Sequence, residues 1–275
     1  LSTTLWSTYP RVADTYRSST HPNAFLLGDA AHTFPPTGGL GLNTGFDDAH
    51  NLAWKISAAE KGWAKNASHF LDSYHAERRP VALKNAQQSY INQRAVAEMV
   101  ETVLTIVDKD PLIAADGQRL AELEKAVFKT KDHFQAIGLH IGHVYGQELD
   151  SGVSVGEYTP ACIPGARLPH AWVKVSGKTR STLDLVDGHS FLVLVTPGFA
   201  SVDSQALSSA LSESRVPIRT MRLGTDFLDP DGKWSKYMRM DAGDAAILIR
   251  PDQHIVCQSS DINGLMKALC AFLDC

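Results

Sequence analysis

Cysteine is scarce. Cys162, Cys257, Cys270 and Cys275 are the four in 275 residues, and no two stand in a C-x-x-C spacing. That excludes dithiol redox chemistry and the usual zinc patterns. His50, His140, His143 and His170 also lack metal-ligand spacing, so no metal is expected. The cysteines are expected to be reduced thiols of a cytoplasmic protein. Basic residues are not in excess: 26 Lys and Arg face 30 Asp and Glu, for a net charge of -4. With no basic tract, nucleic acid is not an expected partner. No apolar run approaches the ~20 residues needed to cross a bilayer, so a membrane is not expected either. Leu1-Ser2-Thr3-Thr4 has neither the charge nor the apolar core of a signal peptide. Without such a signal, the sequon Asn66-Ala67-Ser68 carries little weight. There is no internal repeat and no low-complexity tract. The balance, 44% hydrophobic and 20% charged, is that of an ordinary globular chain with one large or two ordinary domains.

What the chain does have is one dense stretch, Gly28-Asp29-Ala30-Ala31-His32 through Pro35-Pro36 to Gly38-Gly39-Leu40-Gly41-Leu42-Asn43. The apolar run Ala24-Phe25-Leu26-Leu27 before it predicts a buried strand. After it, Phe46, Ala49, Leu52, Ala53 and Ile56 recur at helical spacing and predict a helix over Thr44 to Ala59. Strand, glycine- and proline-punctuated loop, helix is an arrangement that can hold a phosphate, an enolate oxygen or another electron-rich group.

The rest of the chain divides near residue 150. Residues 1–22 read as an irregular lead-in. A second helix is predicted over 67–78, with Pro80 opening a third that runs to about Val107 and is closed by Asp108-Lys109-Asp110-Pro111. A further helix is predicted near 117–135. Residues 138–167 are rich in glycine and proline and read as a connecting segment. Beyond it lie a strand at 190–195, a helix at 203–213 and a strand within 216–223. A hairpin of 245–250 with 254–258 and a closing helix at 261–273 follow. This β-α-β then β-β-α order is that of a thioredoxin-like fold. The position of its usual dithiol reads Thr196-Pro197-Gly198-Phe199.

The central stretch resembles the FAD-dependent aromatic hydroxylases, the single-component flavoprotein monooxygenases. The resemblance rests on Gly28-Asp29-Ala30-Ala31-His32, Pro35-Pro36, Gly39-Leu40-Gly41-Leu42-Asn43-Thr44-Gly45 and Asp48-Ala49-His50-Asn51-Leu52-Ala53-Trp54-Lys55. It continues through Tyr74-His75-Ala76-Glu77-Arg78-Arg79-Pro80. Pro164-Gly165-Ala166-Arg167-Leu168-Pro169-His170 and Ile249-Arg250-Pro251-Asp252 resemble the thioredoxin-like domain of the phenol hydroxylase branch.

The resemblance implies an α/β chain: 1–150 as the C-terminal part of an FAD-binding monooxygenase domain, and 151–275 as a thioredoxin-like domain without C-x-x-C. It implies FAD as cofactor and NAD(P)H as reductant, with oxygen transferred from O2 to a small aromatic substrate. Gly28 and Asp29 would meet the ribityl chain, Pro35 the reactive edge of the flavin ring, and Gly39, Gly41, Leu42 and Asn43 the N1/O2 edge. His32 is a candidate base, weighed against a structural histidine bonded to nearby backbone. Glu77-Arg78-Arg79 reads as a phosphate contact, as a solvated helix end or as ion-paired to core aspartates.

The sequence departs from the family in having no G-x-G-x-x-G dinucleotide motif, and its first residue is Leu rather than Met. Three readings stay open. The chain is one piece of a split monooxygenase completed by a separate N-terminal piece, or a shortened homologue acting as a cofactor-free cyclase, isomerase or dehydratase. The third is a non-catalytic dimerisation module.

Overall fold

The computed structural model describes residues 9–107, 117–147, 154–199, 216–239 and 245–273. Of these, the residues within 1–49, 78–141 and 149–158 form one compact unit, and those within 50–77, 142–148 and 159–275 a second. The expected helix at 203–213 and the expected stop at 108–111 lie outside the described residues.

In the first unit, β1 (Arg11–Val12) pairs antiparallel with β2 (His32–Thr33), with Val12 opposite His32. The run 24–27 is not the buried strand that its composition predicts. Phe25 makes only a single bridge, to Arg17, and Leu26 and Leu27 are each 40% exposed. Ser18 N on the Ala24 carbonyl at 3.0 Å and Leu26 N on the Tyr16 carbonyl at 2.9 Å complete that bridge, which is too short a ladder for a strand. Gly28–Ala30 instead forms a 3-10 turn.

Helix α1 spans Leu40–Glu60, starting four residues before the expected Thr44. The loop ends at Gly38 (φ 90°) and Gly39 (φ 63°), both left-handed, so helical backbone begins directly after them. Helix α2, Ala67–Val107, passes through Pro80 without a break, correcting the expectation of two helices. An interior proline costs about 3 kcal/mol. The residues just before it offset that cost: Arg78 is bound to Asp48, and Arg79 donates from Nε to the Ala13 carbonyl at 2.9 Å. The helix expected near 117–135 is divided at Thr130 into α3 (Gly117–Lys129) and α4 (Lys131–Phe134). Within the expected connecting segment lies α5 (Ile137–Ile141), where a Cβ on Gly138 would sit 2.1 Å from the Ser154 carbonyl oxygen.

The second unit opens its sheet region with a hairpin that the sequence reading did not include, β3 (Trp172–Val175) with β4 (Lys178–Ser181). Its two-residue turn places Ser176 and Gly177 at positive φ, which matches the strand twist. The main sheet contains β5 (Phe191–Val195), β6 (Ile218–Arg222), β7 (Ala246–Ile249) and β8 (Ile255–Ser259), in the order β6-β5-β7-β8. β5 runs parallel to β6 and antiparallel to β7, and β7 antiparallel to β8. That is the thioredoxin-like order.

All five residues of β5 are buried, because both sheet faces are covered. Phe191, Val193 and Val195 pack with Trp54, Trp63, Phe70 and the closing helix α7 (Ile262–Leu273). Leu192 and Leu194 face Val173, Phe227 and Trp234, the last on the short helix α6 (Lys233–Tyr237). Each such side chain contributes about 1.5–3 kcal/mol when fully buried. Where a thioredoxin carries cysteine, the Thr196 hydroxyl accepts the Ala245 amide at 3.0 Å, just before β7 begins.

The same unit holds a buried ionic network. Arg250, at the end of β7, donates from Nη1 and Nη2 to the two Glu77 oxygens at 2.7 and 2.9 Å. Its Nε donates to Asp252 at 2.9 Å, and its guanidinium lies over the rings of Trp54, Tyr145 and Phe272 at 5.1 to 5.3 Å. Lys55 and Asn51 each reach Glu77 at 2.7 Å, and Trp54 Nε1 reaches Asp252 at 2.9 Å. Two cations and two anions thus neutralise one another out of water. Burial opposes ionisation of Glu77, but Arg250 and Lys55 hold it at about 2. Burial pulls Lys55 down to about 8, against the attraction of Glu77. Gly165 (φ 83°) has its α-carbon beside Tyr145, where a Cβ would lie 2.1 Å from the carbonyl oxygen. Arg167 donates to Gln253 at 3.1 Å, so Pro164–Leu168 and Pro251–Gln253 are packed as one corner.

Candidate functional site

The first unit brings the dense stretch together around one buried carboxylate. Asp48, in the third turn of α1, is fully buried. Its Oδ2 accepts from the Gly28 amide at 3.2 Å and from His32 Nε2 at 2.9 Å, and its Oδ1 from Arg78 Nε at 2.9 Å. Arg78 also donates to the Thr44 carbonyl at 3.3 Å. One aspartate therefore ties the 3-10 turn, β2, α1 and α2 together. Of the three readings of Glu77-Arg78-Arg79, the core ion pair is the one that Arg78 forms.

His32 is 2% exposed and stacks on Phe34, with ring centroids 4.7 Å apart. Its partner is the Asp48 carboxylate rather than backbone. Gly28 (φ 54°) and Gly45 cross so closely that a Cβ on Gly45 would lie 3.1 Å from the Gly28 α-carbon. Asp29, on the exposed side of that turn, makes no ion pair among the described residues.

Gly41, Leu42 and Asn43 fall in the first turn of α1, where backbone N–H groups have no intrahelical partner. Leu42 is 72% exposed, and Asn43 donates to the Gly39 carbonyl at 2.7 Å. Gly39 is open: a Cβ there would meet nothing within 4 Å. Pro35 is buried, and its carbonyl accepts from Ser89 Oγ at 2.6 Å.

The polar support on α2 was missed by sequence reasoning. Asn85, Gln88, Ser89 and Asn92 are all buried. Their spacing of three, four and seven residues is the period of a helix face, carried by amides and a hydroxyl instead of apolar side chains. Asn85 donates to Thr44 Oγ1 at 2.8 Å, and Gln88 to Asn92 Oδ1 at 2.9 Å. Among the described residues no three His, Cys, Asp or Glu side chains cluster as metal ligands, and no helix is long and apolar enough to cross a membrane.

Residues 1–89 match the FAD binding domain model, and residues 161–274 the aromatic-ring hydroxylase C-terminal model. The chain is 34% identical to a 4-methyl-5-nitrocatechol 5-monooxygenase of Burkholderia sp over 94% of its own length and 43% of the relative's. It is 32% identical to the tetracenomycin A2 monooxygenase-dioxygenase of Streptomyces glaucescens over 90% and 39%. The structure of the flavin-dependent monooxygenase PieE, in complex with FAD and substrate, aligns with a TM-score of 0.83 at 28% identity, covering 98% of this chain and 50% of that one. Aklavinone-11 hydroxylase with FAD and aklavinone aligns at 0.70 and 25%, covering 98% and 46%. The chain thus spans less than half the length of these curated relatives. With an FAD binding domain model and an aromatic-ring hydroxylase C-terminal model matched in order, the chain is homologous to FAD-dependent aromatic and polyketide hydroxylases over about 94% of its length.

Proposed function

We propose that the first unit forms the ring- and ribityl-facing part of an FAD site. On this reading it serves a cytoplasmic monooxygenase that hydroxylates a phenolic or polyketide-like aromatic with NAD(P)H as reductant. The observation that carries it is the close crossing of Gly28, next to the exposed carboxylate of Asp29, with Gly45 of α1, whose first turn follows the left-handed Gly38 and Gly39. These residues fit the group. A carboxylate is a two-oxygen acceptor suited to a sugar-alcohol hydroxyl. First-turn amides and the helix dipole favour an electron-rich ring edge. Gly39 leaves open space where a side chain would stand.

When bound, FAD supplies the reduction and the activation of O2. The chain's own residues bind and orient. Asp29 accepts from the ribityl chain, Gly28 lets backbone come close, and Gly41, Leu42 and Asn43 offer N–H groups. Pro35 borders the ring, and His32 holds Asp48 instead of moving a proton. Residues 1–150 carry these contacts, and 151–275 the thioredoxin-like part.

Titrating the full chain with FAD and following flavin fluorescence and the absorbance band near ~450 nm tests the reading. Quenching and a shifted band are expected, with D29A weakening binding at least about tenfold through loss of a charged hydrogen bond. A chain that leaves FAD fluorescence unchanged, or D29A binding as the parent does, overturns it. Turnover of an aromatic substrate without flavin, reductant or oxygen would favour the cofactor-free reading.

A further inference from the structure

We propose that Ser89 of α2 is a positioning residue for the Pro35–Gly39 loop, acting through two crossed hydrogen bonds with that loop. This rests on the flavin-site reading above. Ser89 donates from Oγ to the Pro35 carbonyl at 2.6 Å, and in return its own carbonyl accepts from Thr37 Oγ1 at 2.6 Å. Two bonds run in opposite directions between one helix residue and both sides of Pro36. They fix the loop's tilt as well as its distance, which one bond cannot do.

The carbonyl of Ser89 is available because a hydroxyl approaching from the side can share an oxygen whose helical bond uses one lone pair. The loop is further fitted by Gly38, where a Cβ would lie 2.8 Å from Asn92 Nδ2. Asn92 is held in turn by Gln88. The loop's other hydrogen bonds close its far end, Gly39 N on the Pro36 carbonyl at 3.2 Å and Asn43 Nδ2 on the Gly39 carbonyl at 2.7 Å, and neither of these reaches α2. Ser89 therefore anchors the Pro35–Thr37 side of the loop to α2, while Asn43 holds the Gly39 side to α1.

The test uses the full chain and four forms: parent, S89A, T37V and T37S. T37V keeps the side-chain shape and removes the donor, while T37S keeps the donor. Amide hydrogen exchange at Thr37 to Gly41 reads the loop, and FAD fluorescence quenching with the shape of the visible flavin band reads the site. S89A and T37V are expected to speed exchange there and weaken FAD binding about five- to tenfold, the effect of one lost hydrogen bond. T37S is expected to match the parent, and thermal midpoints to stay within a few degrees in all four.

Unchanged exchange in S89A and T37V overturns the proposal. Faster exchange with unaltered flavin affinity and spectrum also overturns it, because the loop would then be anchored without serving the site. If the parent itself binds no FAD, the functional reading fails. The exchange comparison then decides by itself whether Ser89 sets the loop.

Discussion

Arg250 and Glu77, 173 positions apart in sequence, meet through two parallel hydrogen bonds, both guanidinium terminal nitrogens on both carboxylate oxygens. The pair is a fork-on-fork contact of the strong, directional kind. Both side chains are shielded, and each has a second partner: Asp252 for Arg250, and Lys55 for Glu77.

Replacing one member leaves the others buried with unmatched charge. R250M leaves Glu77 with Lys55 as its one cation beside the Asn51 amide, and Asp252 with the Trp54 ring nitrogen and its histidine neighbour. The expected loss is about 3–5 kcal/mol, the usual result of breaking a buried ion pair from one side. Urea denaturation of parent and R250M checks it, and a change under about 1 kcal/mol would mean that the network adds little beyond packing.

Acid should act on the same carboxylate. Glu77 is held at about 2, below its ordinary 4.5, so its contribution is full above pH 4.5 and lost as pH falls toward 2. The amount is on the order of 3 kcal/mol. Lys55 works in the opposite sense: its value is about 8 against an ordinary 10.5, so stability rises with pH between those values as its buried charge is relieved. Denaturation midpoints measured from pH 2 to 10 should show both slopes, and the acid slope should flatten in E77Q.

The glycines of the loop are not equivalent. G45A meets the Gly28 backbone at 3.1 Å, and neither a helix nor a tight turn yields easily. G39A meets no atom within 4 Å but must hold a φ of 63°. Strain at Gly39 costs about 1 kcal/mol. Forced contact at Gly45 costs about 1–3 kcal/mol, even though alanine is the better helix former. Thermal midpoints should therefore fall further for G45A, and exchange at Gly28 to Ala31 should quicken in G45A alone.

Much of this architecture was legible from residue order. The apolar run at β5, the hairpin of β7 and β8, and the amphipathic α7 each announced themselves by period and length, because both sheet faces and one helix face are covered by their own chain. Leu26 and Leu27 misled for the converse reason: a buried-strand composition predicts a partner, and the described residues supply a single bridge. Pro80 misled because local propensity was outweighed by ion pairs from residues far off in sequence. Asp48 escaped notice as a binding hub because an acid in the early turns of a helix already has a sufficient local explanation. The Asn85–Asn92 stripe escaped because the period was sought in apolar residues.

The early start of α1 has an electrical consequence. Four extra residues at ~1.5 Å each carry the positive end of the helix ~6 Å further out than the sequence placed it. That end now emerges beside Gly39, where a Cβ would meet nothing within 4 Å, between the Asn92 side chain at Gly38 and the Phe34 ring at Gly41. The field of about half a positive charge has its open outlet at Gly39. An anion or polarised oxygen approaching Gly39 meets dipoles already turned toward it.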